Sequence, residues 1–444
     1  MVRRLFFSLA AFAVMLSACT DNDSFSSDRS LQLTFAKDTV RLDTLFATVP
    51  SSTSSFWVHN RGTDGLRISN ARLERGGQSG FRVNVDGMFL NPAATGIEVR
   101  KGDSIRVFVE LTARENATAE PTLVEDNLLF TLESGVQQKV NLRAYSWNAQ
   151  KITNLDITSD EELSSDVPLV IYGYGIHVAE GATLTLSNTT LYFHDQAGIV
   201  VDGRLQAEGC TFRGDRLDHM FDYLPYDRVS GQWHSIVVNP KADGCYMANC
   251  EIRNAYNGIY ADSTTVSLVN TVIHNGRGYG LYAHDSDVSA VECQFSNTLM
   301  DCLALYGCNA TVDRCTLAQF YPYSGNRKAA LFFTDTERPL QLHCTNTLVT
   351  GYADDVVMGE ELKHDETAYL FENCLLRTPK VENEEQFVNV LWETSKDEIQ
   401  GVKHFVTVDE TNFIYDFTVK EESPAYAPRI GRAFAEPSEQ ETEQ

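Results

Sequence analysis

The densest group of side chains able to bind a ligand or take part in catalysis lies between residues 213 and 234. Carboxylates, guanidinium groups, aromatic rings and imidazoles occur together there. Aromatic faces can stack on sugar rings, while carboxylates and arginine can hydrogen-bond to sugar hydroxyls. The stretch therefore predicts a glycan-binding rim, and its candidate ligand-binding residues are Asp215, Asp218, Asp222, Tyr226, Asp227, Arg228, Trp233 and His234.

Two other interpretations of this stretch remain open. It can pack on itself as a loop, with Trp233 and Tyr226 covering the wall of the domain and Asp–Arg pairs holding it closed. It can also hold the site of a uronate lyase, which needs a basic side chain beside carboxylates that bind Ca²⁺ on the substrate acid. The spacing of its carboxylates and Arg228 matches no catalytic motif, so no catalytic residue is assigned. No metal or other cofactor is predicted, apart from Ca²⁺ under the lyase interpretation.

A second excursion, 319–328, contains Tyr321 and Tyr323. Its expected state is a solvated loop surface. It forms a groove with the first loop only if the two excursions share one face of the domain.

A repeat of about 21 residues must position these loops. In each unit a small residue is followed two positions later by a large apolar one, and further apolar residues stand three and five positions before it. Such alternation predicts short strands that stack from unit to unit, because one unit cannot close a core alone. The small residues are Thr189, Cys210, Cys250, Thr271, Cys293, Cys315, Thr347 and Cys374.

The repeat predicts inward-facing thiols rather than disulfides, although nine cysteines follow Cys19 in a chain that carries an export signal. An asparagine precedes the small residue in five units, which predicts an asparagine ladder at a bend. These asparagines are Asn188, Asn249, Asn270, Asn346 and Asn373.

Three further stretches carry a family resemblance. Residues 176–186, 214–236 and 415–425 resemble the opening rung, a recurring loop and the closing strand of pectate-lyase-like right-handed parallel β-helix proteins of the Bacteroides group. The resemblance covers residues 150–432 and implies that fold. It implies no single activity, since the same scaffold carries lyases, hydrolases, esterases, adhesins and stalks.

The segment 31–147 alternates apolar and polar residues without the 21-residue period, and turn signals separate its short runs. Residues 58–68 and 101–105 resemble immunoglobulin-like domains of the abnormal-spindle and hydin type, which implies a spacer or adhesion unit. The predicted fold class is therefore all-β, with an immunoglobulin-like β-sandwich at 31–147 and a right-handed parallel β-helix with its closing segment at 148–432. An acidic tail, 433–444, is expected to be disordered.

The N-terminus carries an export signal. Arg3 and Arg4 precede an apolar run, 5–16, that is too short to span a bilayer and ends in small residues before Cys19. The pattern resembles the bacterial lipobox, which implies removal of residues 1–18 and acylation of Cys19. The acidic start of the tether, 19–30, resembles the surface-export signal of Bacteroides-group lipoproteins, which implies the outer membrane and the cell surface.

These observations predict a surface-exposed, lipid-anchored outer-membrane protein that presents a β-helix for glycan or cell-surface binding. The alternatives are a lyase-like polysaccharide enzyme acting near 213–234 and a structural stalk without a ligand. Lys and Arg number 36 against 61 Asp and Glu, so the net charge of −25 argues against a nucleic acid partner.

The Cys19→Ala variant tests the anchor. We expect it to lose all incorporation of radiolabelled palmitate, because the acylated sulfur and the adjoining cleavage site are both removed. Unchanged labelling of the variant would contradict the lipoprotein assignment.

Overall fold

A computed structural model describes residues 24–221, 223–359, 363–382 and 385–436. Cys19 and Asp222 lie outside these residues. The chain divides between Asn148 and Ala149 into two compact units. Over the described ranges, regular structure is β-strand apart from three 3₁₀ helices, Gly76–Gln78, Tyr226–Arg228 and Gly401–His404. A search of these same ranges found no helix with the length and apolar character needed to span a membrane.

The first unit contains two sheets that share one hydrophobic core. Alternation along Ser104–Leu111 shows why: Ile105, Val107 and Val109 are buried, while the residues between them face outward. All pairings are antiparallel except that of Thr39–Phe46 with Gln137–Trp147. One sheet contains Thr34–Phe35, Ser54–His59, Ser104–Leu111, Phe81–Val85 and Met88–Phe89; the other contains Thr39–Phe46, Gln137–Trp147, Thr122–Leu132, Leu66–Leu73, Ala93–Ala94 and Ile97–Val99.

Part of the predicted tether packs on the first unit. Phe25 forms a β-bridge with Gly65, and the Arg67 guanidinium lies 4.5 Å from the centre of the Phe25 ring. The contact of the Phe25 ring with Arg67 and the backbone hydrogen bonds hold this segment on the sheet. Phe25 and Ser26, within the predicted tether 19–30, are therefore held on the first unit.

The second unit is a parallel β-helix whose turns contribute strands to three sheets, here called A, B and C. Gln150–Ile157 and Leu169–Val178 begin sheets A and B together. Sheet A continues with Thr190–Phe193, Thr211–Gly214, Glu251–Arg253, Val272–Gly276, Gln294–Thr298, Thr316–Gln319, Leu348–Gly351, Leu375–Arg377 and Leu391–Glu393. Sheet B continues with Gly198–Val201, Ile236–Val238, Ile259–Asp262, Leu281–His284, Leu303–Tyr306, Leu331–Thr334 and Val357–Gly359. Sheet C contains Glu161–Leu163, Thr183–Ser187, Arg204–Glu208, Gly244–Ala248, Thr265–Val269, Asp287–Val291, Asn309–Asp313, Gln341–Thr345, Ala368–Glu372 and Phe387–Val388.

The register confirms the predicted repeat. All eight small residues are at most 3% exposed, and the apolar residues two positions after them are buried as well. All nine cysteines after Cys19 are free and buried, which confirms the predicted structural thiols. Cys344 and Cys374 come as close as 4.0 Å between their sulfur atoms, which is a contact and not a bond.

The asparagine ladder is also confirmed. The five predicted asparagines have φ between 45° and 53°, the left-handed conformation that asparagine adopts more readily than most residues. Asn270 donates to the Asn249 side chain at 2.8 Å, and Asn373 donates to that of Asn346 at 2.7 Å. The ladder turns the chain from sheet C into sheet A.

A closing segment returns over the outward face of sheet A. Its hairpin pairs Phe405–Asp409 with Ile414–Val419, and Phe417 packs in a cluster with Ala318 and Leu348 of sheet A. Phe434 bridges to Val419, so residues 433–436 belong to this packed segment. Residues 433–436 of the predicted tail, 433–444, are therefore packed, and residues 437–444 lie outside the described ranges.

A buried ion network holds the closing segment on sheet A. Glu393 lies between Arg377, at 2.5 Å, and the His404 ring, at 3.1 Å. The other nitrogen of His404 lies 2.8 Å from the Ser423 hydroxyl oxygen. Because each charged group has a partner, their burial is tolerated.

Thiol titration checks the packing of the cysteines. A protein starting at residue 20 should show about nine reactive thiols in denaturant without reductant, and fewer than about one when folded, because burial hides them from the reagent. A denatured count of seven would reveal a disulfide and contradict the assignment of nine free thiols.

Candidate functional site

The outward positions of sheet A form columns in which polar residues stack from rung to rung. Tyr192 pairs with Arg213, and Arg253 pairs with His274. These residues all stand three positions after the small residue of their repeat unit. Because alternate side chains of a strand point to opposite faces, this column faces away from the core. In order it contains Tyr192, Arg213, Arg253, His274, Ser296, Ala318, Thr350 and Arg377.

Two segments cover this face and leave a cleft of about 330 Å³ between them. The 213–234 loop covers one side, and the closing segment covers the other. The floor is the outward face of sheet A. The side chains that matter below are Asp227 and Arg228 from the loop, Glu251, Arg253, His274 and Gln294 from sheet A, Tyr323 from the second excursion, and Tyr415, Asp416 and Arg432 from the closing segment.

A second asparagine ladder docks the loop on sheet A. Asn254 donates to the backbone oxygen of Asp227 at 3.0 Å, and Asn275 donates to that of Arg228 at 2.9 Å. Asn275 also donates to the Asn254 side chain at 2.8 Å. These bonds place Asp227 and Arg228 at the edge of the cleft.

The second excursion shares this face with the loop. The Tyr323 hydroxyl donates to the backbone oxygen of Arg228. The hydroxyls of Tyr321 and Ser230 lie 2.8 Å apart. The two excursions therefore share one face of the domain, as a joint groove requires, and Tyr323 forms part of the wall of that groove.

The ion pairs of the cleft are unevenly satisfied. Arg213 binds Asp227 at 2.8 Å, whereas Arg253 lies 3.5 Å from Asp227 and 3.6 Å from Glu251. The buried Nε of Arg253 has no hydrogen-bond partner in the described parts of the chain. The Arg228 guanidinium makes no ion pair with any described residue. Arg228 and Arg253 therefore have N–H groups at the cleft that remain available as hydrogen-bond donors.

Two neutral groups complete the floor. Burial, aided by the charges of Arg253 and Arg228, lowers the pKa of His274 to about 3, so its ring is uncharged at neutral pH. Its Nδ1 lies 2.9 Å from the Ser296 hydroxyl oxygen. Burial raises the pKa of Tyr415, and its hydroxyl has no partner within the described ranges.

Of the predicted ligand-binding residues, Asp227 and Arg228 line the cleft. Trp233 is 1% exposed and stacks on Phe193 with ring centres 4.6 Å apart. Its ring is packed in the wall of the β-helix and is not available to a sugar. His234 is exposed and is not among the side chains that line the cleft.

The remaining candidates hold the loop together. Asp215 binds His194 at 2.7 Å, and burial raises the pKa of this carboxyl. Asp218 binds Arg216 through both oxygens, and the Arg216 guanidinium lies 3.9 Å from the centre of the Tyr226 ring. These contacts follow the self-packed interpretation. Asp222 lies outside the described residues.

Sequence reasoning missed most of the floor. Glu251 stands one position after Cys250, and Arg253 and His274 stand three positions after the small residues of their units. These are outward positions of the repeat, so a survey of charged residues there could have found them. Tyr415 and Arg432 gave no such signal, because they reach the cleft only when the chain returns.

The cleft does not suit Ca²⁺. This ion prefers six to eight oxygen ligands, whereas Asp227 and Glu251 are already shared with arginines. Over the described ranges no group of three His, Cys, Asp or Glu residues is arranged to hold a metal. No step of a mechanism is therefore assigned to Ca²⁺.

Comparisons with known proteins support the fold. Residues 142–317 and 234–346 match the family model of the right-handed β-helix region, and the second unit is a right-handed parallel β-helix. No curated protein matches the chain. One similar solved structure comes from a study of glycolipid glycan hydrolysis by a family 123 glycoside hydrolase from Clostridium perfringens. It shares 8% identity over 26% of this chain and 26% of that chain, at a TM-score of 0.18, which carries no argument.

Acidification tests the environment of His274. Its imidazole is protonated in the unfolded chain below about pH 6.5 but stays neutral in the fold down to about pH 3. Lowering the pH through this window should therefore reduce the free energy of unfolding, by at most about 1.4 kcal/mol per pH unit from this group.

The measurement is denaturant unfolding at pH 7 and pH 5. His274→Gln should lose less stability on acidification than the unsubstituted protein does. His234→Gln, which removes an exposed ring, is the matched control. An identical pH dependence for His274→Gln and the unsubstituted protein would show that the His274 ring is not held neutral.

Proposed function

We propose that the protein is a surface-exposed outer-membrane lipoprotein, anchored through Cys19, that binds a glycan in the cleft of its β-helix. The observation that carries this proposal is the open stretch of sheet A, a cleft of about 330 Å³ on a face that is otherwise covered. Its volume is at the lower end of the range for ligand pockets.

The walls and floor have complementary chemistry. Tyr323 is 38% exposed and stacks one face of its ring on Phe413, and Tyr415 lines the cleft from the closing segment. Aromatic rings of this kind pack against the apolar face of a sugar, while Gln294 and the arginines of the floor can hydrogen-bond to its hydroxyls. A short stretch of polysaccharide is the class of ligand that uses both features.

We further propose that the first unit is an immunoglobulin-like spacer between the lipid anchor and the β-helix. Its two sheets over a shared core support this assignment. The acidic net charge of the chain suits a protein exposed at a cell surface.

A lyase-like enzyme is the second candidate. The observation that favours it is the presence of Arg228 and Arg253 in one cleft, since a uronate lyase needs a basic side chain beside the substrate acid. A structural stalk without a ligand is the third hypothesis. The experiment described next distinguishes the three hypotheses.

Affinity electrophoresis through gels that contain polysaccharides tests the proposal. Tyr323→Ala should weaken retention roughly 2- to 13-fold, because a ring contact contributes about 0.5–1.5 kcal/mol. Tyr246→Ala is the matched control, since this residue is 44% exposed on sheet C. Unsaturated or new reducing ends in the incubated polysaccharide would indicate the enzyme, and absence of both retention and turnover would indicate the stalk.

A further inference from the structure

We propose that the cleft binds an anionic group of its ligand, a carboxylate or a sulfate ester, directly through Arg228 and Arg253 and without a bridging Ca²⁺. This inference rests on the proposed function, glycan binding in the cleft. It adds that the glycan is anionic and that Arg228 and Arg253 bind its anionic group.

The distribution of charge is the first argument. The whole chain carries a net charge of −25, yet Arg228, Arg253 and Arg432 line one cleft. The largely buried Arg213 stands behind Asp227 and binds it at 2.8 Å. Asp227 thus faces two guanidiniums, and the three arginines of the lining balance its three carboxylates, Asp227, Glu251 and Asp416, on a chain that otherwise has a large acidic excess.

Unused donors are the second argument. A guanidinium offers five N–H groups in a planar fork that matches the two oxygens of a carboxylate or sulfate. The distances from Arg253 to Asp227 and Glu251, 3.5 and 3.6 Å, exceed those of charge-assisted hydrogen bonds, and its buried Nε has no described partner. The Arg253 side chain is 25% exposed, so its terminal N–H groups, which no described carboxylate engages at hydrogen-bond distance, can bind an anionic ligand.

The neighbouring groups point the same way. The pKa of His274 is lowered chiefly by burial and additionally by the charges of Arg253 and Arg228, which places both guanidiniums close to the floor. The unpartnered Tyr415 hydroxyl adds a neutral donor. Of the three carboxylates that line the cleft, Asp227 and Glu251 are engaged with arginines, and Asp416 by itself offers too few oxygen ligands for Ca²⁺.

The experiment compares matched probes in the presence of EDTA: polygalacturonate against its methyl ester, and dextran sulfate against dextran. The protein is the chain from residue 20 onward. We expect retention by at least one anionic probe to be about tenfold stronger than by its neutral counterpart, to weaken with added salt, and not to increase with Ca²⁺. Which anionic probe is retained identifies the carboxylate or the sulfate.

The substitutions are Arg228→Gln and Arg253→Gln, with Arg204→Gln on the exposed face of sheet C as the matched control. Each cleft variant should lose about tenfold in retention of the anionic probe and keep the retention of any neutral one. Arg228→Gln is the variant less expected to disturb the fold, because the Arg228 guanidinium makes no ion pair with any described residue.

Three results would overturn the proposal. Equal retention of charged and neutral probes would refute the charge class but leave glycan binding in place. Retention that depends on Ca²⁺ would refute direct recognition by arginine. Absence of retention by every polysaccharide would refute the proposed function and this inference together.

Discussion

A turn of about 21 residues cannot bury its own apolar side chains, so each turn of this β-helix depends on the turns above and below it. Parallel pairing places each residue over its equivalent in the next turn, at the strand spacing of about 4.8 Å. Inward columns must therefore hold residues of similar size, and thiols and hydroxyls share one column for that reason. The outward Tyr260 and Tyr282 show the same effect, with stacked rings 4.5 Å apart.

The outward face of sheet A is used in two ways along the solenoid. In later turns it presents Ala318, Leu348 and Leu375, which pack under the closing segment. In earlier turns it presents Arg253 and His274, which stay open to the cleft. The change from polar to apolar along the same face decides where the returning chain can settle, because burying the arginine without partners would cost free energy.

The buried network of Arg377, Glu393 and His404 then holds the closing segment in one position. Isolated charges at this depth would be strongly destabilising, whereas a satisfied network fixes its geometry. This position brings Tyr415 and Arg432 to the cleft. Arg432 is held there by Asn270, to which it donates at 2.9 Å. The site therefore depends on contacts made far from the loop that first suggested it.

The 213–234 loop contributes to the site in a narrower way than its composition predicts. Its largest aromatic side chain, Trp233, packs on Phe193 at the core. Asp215 forms an ion pair with His194, and Asp218 forms one with Arg216 inside the loop. Composition alone cannot separate these roles, since a sugar-binding ring and a core-sealing ring belong to the same residue types. The division depends on which side of the loop faces the solenoid.

The sequence by itself determined the solenoid: the period, the inward columns, the buried thiols and the asparagine turns all follow from alternation along single strands, which is a local property. It also contained the outward floor of the cleft, as polar residues one and three positions after Cys250 and three positions after Thr271. Only the tertiary structure decided that these residues form a site. The cleft exists because Asp227, Tyr323 and Arg432, which are distant in sequence, meet over one face, and such meetings are set by packing of the whole chain rather than by local pattern.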